Sequence, residues 1–187
     1  MKTILKLMCL LLYCNGTLGQ NSIKDQVDSI RYLKGDAAFD CNSVIWRIIA
    51  KKKEAVPFLI GLIADSTPIP VRYKCKRTNM KVGDMAFYVL DHIISVPEYT
   101  VTGEQFDLII DGCDVGMYEY IDGNRLLFQQ LVQEWHMQYK NKLVWQKGAR
   151  LKSTGCAAID KITGCYIMVH EVPKPVAEKK TPKQKKK

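Results

Sequence analysis

The chain has few of the residues from which ready-made chemistry is built. Its 187 residues contain three histidines, His92, His136 and His170, and they lie far apart. No His-Glu-x-x-His occurs and none of the seven cysteines forms a CxxC pair, so neither common zinc spacing is present. There is no Gly-x-Ser-x-Gly elbow and no glycine loop of the kind that cradles phosphate. No apolar run reaches the about 20 residues needed to span a bilayer. After residue 19 there is no Asn-x-Ser/Thr acceptor, so nothing marks a glycosylated ectodomain. These absences remove the readily recognised hydrolases, nucleotide binders and zinc proteins, and they leave no basis for a cofactor.

What is present begins at the amino end. Lys2 and Lys6 give a positive start, residues 7–13 a short apolar run, and Thr17-Leu18-Gly19 small residues before a cut. This is the pattern of a secretory signal peptide over residues 1–19. A signal anchor, or a lipoprotein acylated at Cys14, are the alternatives. Export implies a secreted, periplasmic or envelope location, with no transmembrane segment once the signal is removed. Five cysteines then remain, Cys41, Cys75, Cys113, Cys156 and Cys165, in a compartment that permits disulfides.

The net charge of +9 suggests nucleic acid until it is divided. The tail, residues 173–187, carries +6 and residues 1–19 carry +2, which leaves +1 for residues 20–172. The body is nearly neutral and long enough for one domain with its own core. An apolar share of 47% together with Trp46, Trp135 and Trp145 fits a folded body. The Lys- and Pro-rich tail reads as disordered. Its Lys179, Lys180, Lys183, Lys185, Lys186 and Lys187 form a sequence-blind handle for a weak polyanion contact. No aromatic residue is interleaved, which argues against base stacking and sequence-specific nucleic-acid binding. A solvated tail that aids solubility is the plain alternative.

Helical spacing dominates the body. Ser22 and Asp25 form a capping box ahead of Ile23, Val27 and Ile30, with Gly35 as the stop. Asp40 caps a second helix carrying Cys41, Val44, Ile45, Ile48 and Ile49, and Lys51-Lys52-Lys53 makes a basic corner. Residues 54–64 read as a helix with Pro57 in its first turn, a buried strand being the competitor. Residues 65–82 form a long connector, punctuated by Pro68 and Pro70. Val82, Met85, Ala86, Val89, Leu90 and Ile93 then recur at i, i+3, i+4, i+7, i+8 and i+11. Thr102 to Gln105 reads as a capping box opening a helix with Phe106, Ile109 and Ile110. Residues 124–141 should be the longest helix, with Leu127, Leu131, Trp135 and Tyr139 four apart. Residues 143–145 and 165–169 look extended.

Glu54-Ala55-Val56-Pro57-Phe58-Leu59-Ile60, the following Asp65, and Val82-Gly83-Asp84-Met85-Ala86 leading to Val89-Leu90 resemble a HEAT-like helical repeat over about residues 52–94. The resemblance implies two helices packed as a hairpin, with small Ala86 allowing close approach. It implies no chemistry. Outside it the chain is similar to small exported bacterial proteins of unassigned function. The expected fold is therefore mainly α, with HEAT-like hairpin packing, a small C-terminal β element and a basic tail.

Few constellations are left. Cys113 stands between Asp111 and Asp114, which raise rather than lower a thiol pKa, so a Cys113/His136 nucleophile is disfavoured. Asp107, Asp111, Asp114, Glu119 and Asp122 lack the calcium-loop spacing and read as turn and helix-end carboxylates. Thr154-Gly155-Cys156 and Thr163-Gly164-Cys165 make a near-repeat, and a Cys156–Cys165 disulfide across a hairpin would stabilise by about 2–3 kcal/mol. The connector concentrates Arg72, Lys74, Lys76, Arg77 and Lys81, a candidate interaction surface or an ordinary solvated loop. The expectation is a non-catalytic binding module for an unknown protein or envelope component. A small envelope hydrolase using Asp91/His92 or Cys113/His136, and a structural envelope protein, are the rivals.

Overall fold

The computed structural model describes residues 22–35, 41, 43–106, 109–110, 113–147 and 164–168. The expected signal segment (residues 1–19), the basic tail, Asp40 and Cys156 lie outside these residues.

Six α-helices occur among them, and the chain is mainly helical. Helix α1 (Ile23–Asp28) opens as the sequence indicates: Asp25 N–H donates to the Ser22 hydroxyl at 3.1 Å, and the Asp25 carboxylate receives the Ser22 N–H, also at 3.1 Å. It tightens into a 3-10 turn over Ser29–Tyr32 well before Gly35, whose positive φ of 55° lets its N–H reach Pro70 O at 2.7 Å. Helix α2 (Val44–Ile49) starts after Ser43 rather than Asp40, so Cys41 lies outside it. Helix α3 (Val56–Leu62) carries Pro57 in its first turn, where the missing N–H has no intrahelical partner to lose.

Helix α4 (Val82–Ile93) is the centre of the molecule. Residues 82–87, Val89, Leu90 and Ile93 are all buried. A helix apolar on nearly every side must be surrounded, and α4 contacts α2, α3 and the C-terminal elements. Its contact with α3 depends on Gly83. A Cβ there would stand 2.0 Å from Ile63 O and 2.9 Å from Arg125 Nη1.

Two further regions differ from the sequence reading. Thr102 ends a helix instead of opening one: α5 (Glu98–Thr102) starts after Pro97 and stops at Gly103, whose φ of 73° is left-handed. The Thr102 hydroxyl donates back to Glu98 O at 2.8 Å, and Ile109–Ile110 is a short strand, β1, paired with β2 (Cys113–Asp114). The longest helix, α6 (Val115–Tyr139), begins nine residues earlier than expected, and Asn124 (φ −132°, ψ 30°) is a kink within it. The expected start at Asn124 thus coincides with a break in the helix, and what the sequence reading lacked is the segment before it, residues 115–123.

The C-terminal β element is present as expected. Strand β3 (Leu143–Lys147) pairs antiparallel with β4 (Gly164–Met168), in a register that sets Gln146 opposite Cys165 and Trp145 opposite Tyr166. Gly164 leaves room for the Trp145 ring, since a Cβ would approach it to 2.8 Å. The basic corner fastens this pair to the helices. Lys53 Nζ donates to Leu143 O at 2.8 Å and sits 4.5 Å from the Tyr166 ring, and Lys52 lies 4.3 Å over Trp145. Cys165 is buried in β4; the expected bridge to Cys156 involves a residue outside those described. No helix among the described residues is long and apolar enough to cross a membrane.

Candidate functional site

The connector between α3 and α4 folds as an irregular hairpin. Ile69 N–H donates to Met80 O (2.9 Å), Met80 N–H to Val71 O (2.8 Å) and Val82 N–H to Thr67 O (2.9 Å). Extended backbone alternates its side chains. Ile69 and Val71 enter the core and Tyr73 is half-buried, while Pro70, Arg72 and Lys74 face outward. At the tip, Lys76 N–H closes a turn onto Tyr73 O at 3.0 Å, and Cys75 packs between Tyr73 and Tyr118. Cys41 and Cys75 are each disulfide-bonded.

This geometry divides the five connector cations into two groups. Lys76 is turned inward, its side chain 4% exposed, and its ammonium meets Asp84 (3.2 Å) and Asp122. Lys81 reaches the other oxygen of Asp122 at 2.7 Å. Arg125 binds Asp84 and Asp122 through Nη2. Arg72, Lys74 and Arg77 are exposed and form no ion pair among the described residues. The expectation of a single five-cation surface is therefore corrected. Lys76 is withdrawn because the fully buried Asp84 carboxylate needs a counter-charge, and Lys81 is committed to the partly exposed Asp122.

The cluster itself is a tie between three elements. Asp84, fully buried in the first turn of α4, also receives the Lys81 N–H at 2.8 Å. Asp122 and Arg125 come from α6 on either side of its kink. Burial opposes the charge on Asp122, but hydrogen bonds from Lys76, Lys81 and Arg125 outweigh it and hold the carboxyl well below the ordinary range. Tyr118 lines the same region with its ring 6.0 Å from Lys76 Nζ. Burial, then the neighbouring Tyr73 and Asp91, push its hydroxyl far up, so it stays neutral. Asp84, Asp122, Arg125 and Tyr118 did not stand out in the sequence as a site. The available signals were the i, i+3 pairing of Asp122 with Arg125 and the acidic residue just inside α4.

Of the residues considered for catalysis, the structure describes the surroundings of His92 and His136. His92 Nδ1 is 2.8 Å from Tyr88 O, and its ring packs 4.5 Å from Tyr88 and 5.8 Å from Trp46, centroid to centroid. His136 is half-buried; burial, Lys140 and Lys53 lower its pKa. The Cys113 side chain, His170 and the tail lysines Lys179, Lys180, Lys183, Lys185, Lys186 and Lys187 lie outside what the structure describes. Among the described residues no three His, Cys, Asp or Glu side chains are grouped to hold a metal. No known protein family, curated protein or solved structure matches this chain.

Proposed function

We propose that this is an exported, non-catalytic binding module on a HEAT-like helical scaffold, which meets an envelope component or protein through the outward row Arg72, Lys74 and Arg77. The supporting observation is the division of the connector. Its inner residues are spent on the core and the ion cluster, and the same anchoring holds three uncompensated cations on a fixed outer face. A pre-ordered row loses little conformational freedom on binding, which favours contact with a negatively charged surface. The disulfide-bonded Cys41 and Cys75 fit an oxidising compartment, in line with the signal-like start. Close approach of α3 and α4 at Gly83 supports the repeat-like packing. The hydrolase reading gains nothing comparable, because His92 is already engaged by Tyr88 and packed against Trp46.

The test is retention of the purified protein on envelope material at rising salt. The Arg72→Ala/Lys74→Ala/Arg77→Ala variant should elute at clearly lower salt, and deletion of residues 173–187 should remove a separate, weaker increment. Equal elution of the triple variant and the parent would reject the connector as the contact surface.

A further inference from the structure

The outer face of α6 after its kink is unusual for a solvent face. Between residues 125 and 139 the inward stripe is Arg125, Phe128, Val132 and Trp135, all buried. The opposite face carries Leu126 at 75% exposure, Met137 at 64% and Leu127 at 49%. Gln130 and Gln133 complete the stripe and Glu134 is its single charge, although the chain as a whole is lysine-rich. Leu126, Gln130, Gln133 and Met137 follow one another by four, three and four, the spacing of a two-helix seam.

The stripe reads the same in both directions, apolar, glutamine, glutamine, apolar. We propose that it is the contact face for a second copy of this chain, with the two α6 helices antiparallel about a two-fold axis midway between Gln130 and Gln133. Two-fold contacts demand self-complementarity, in which residue i meets j and j meets i. Here Leu126 packs on the partner's Met137 and Gln130 hydrogen-bonds the partner's Gln133. Charge is complementary at the ends. Exposed Lys140 and Lys142 close one end of α6, and exposed Glu119 lies toward the other, so an antiparallel pair brings opposite charges to each end. A parallel pairing would instead set Lys140 and Lys142 against the same lysines. The seam holds no like-charge pair, since Glu134 falls opposite the partner's Gln129. A central glutamine pair fixes register at some cost in strength. One helix pair covers less than the about 1,200 Å² of tight complexes, so the dimer forms with rising concentration.

Sedimentation equilibrium of the purified protein up to about 500 µM should show a monomer–dimer equilibrium. Leu126→Glu/Met137→Glu should weaken it at least about 10-fold, with unchanged helical circular dichroism because both side chains are exposed. Orientation is read by mixing two single variants, Leu126→Cys and Met137→Cys. Eleven residues of helix separate the positions by about 16 Å. The mixture should therefore form a disulfide between positions 126 and 137 of different copies, and neither variant alone should crosslink at its new position. A protein that stays monomeric, a dimer indifferent to the double glutamate variant, or crosslinking of a single variant with itself would each overturn the proposal.

Discussion

The two sides of the connector share a stretch of sequence and have opposite fates. Lys76 and Arg77 are neighbours, yet one ammonium is buried against two carboxylates while the other cation is exposed. Lys76 belongs to the energetics of folding, and Arg77 is left exposed for the contact proposed above. A basic segment is therefore not one feature. Its meaning depends on which cations the fold has already neutralised.

This contrast can be broken most severely at Asp84. Asp84→Ala strands Arg125 and Lys76 without their fully buried counter-charge, and urea unfolding should show a loss of about 3–5 kcal/mol. Gly83→Ala follows, because the new methyl group meets backbone at Ile63 that cannot rotate away. A loss of about 1–3 kcal/mol is expected, measured in the same way. The contrast is sharpest between Lys76→Met and Arg77→Met. The first should cost about 2–3 kcal/mol by leaving Asp122 and Asp84 under-compensated, and the second should stay within about 0.5 kcal/mol. Equal effects would mean that the inner and outer cations are equivalent after all.

The smallest effect is acid sensitivity. Asp122 has its folded pKa depressed below the unfolded value. Its contribution is therefore complete above the unfolded pKa of about 4 and is lost progressively as pH falls toward the folded one. Thermal stability should drop steadily below about pH 4 in the parent. In Asp122→Asn that part of the slope should be absent, which circular dichroism melts at stepped pH would reveal.

Legibility varied along the chain for physical reasons. The capping box at Ser22, Pro57 in a first turn and the spacing in α4 were readable because each is encoded within a few residues. Thr102 misled because a helix ending at Gly103 supplies the same residue types as one beginning there. Asn124 marked a real break, but nothing local to it showed that a helical segment also precedes it. The ion cluster was the least legible. Lys76, Asp84 and Asp122 are separated by up to 46 positions, and no local pattern ties them together.

By itself the amino-acid sequence determined that the body is mainly helical, the helices over residues 23–28 and 82–93, where strands resume after residue 142, and that positive charge gathers in a connector and a tail. Those properties follow from backbone preference, side-chain periodicity and composition, all of which act over short distances. Only the tertiary structure decided which lysines are buried, which glycine admits a neighbouring helix, and which face of α6 is left bare. Such outcomes depend on surfaces brought together from remote parts of the chain, where burial sets the cost of an unpaired charge.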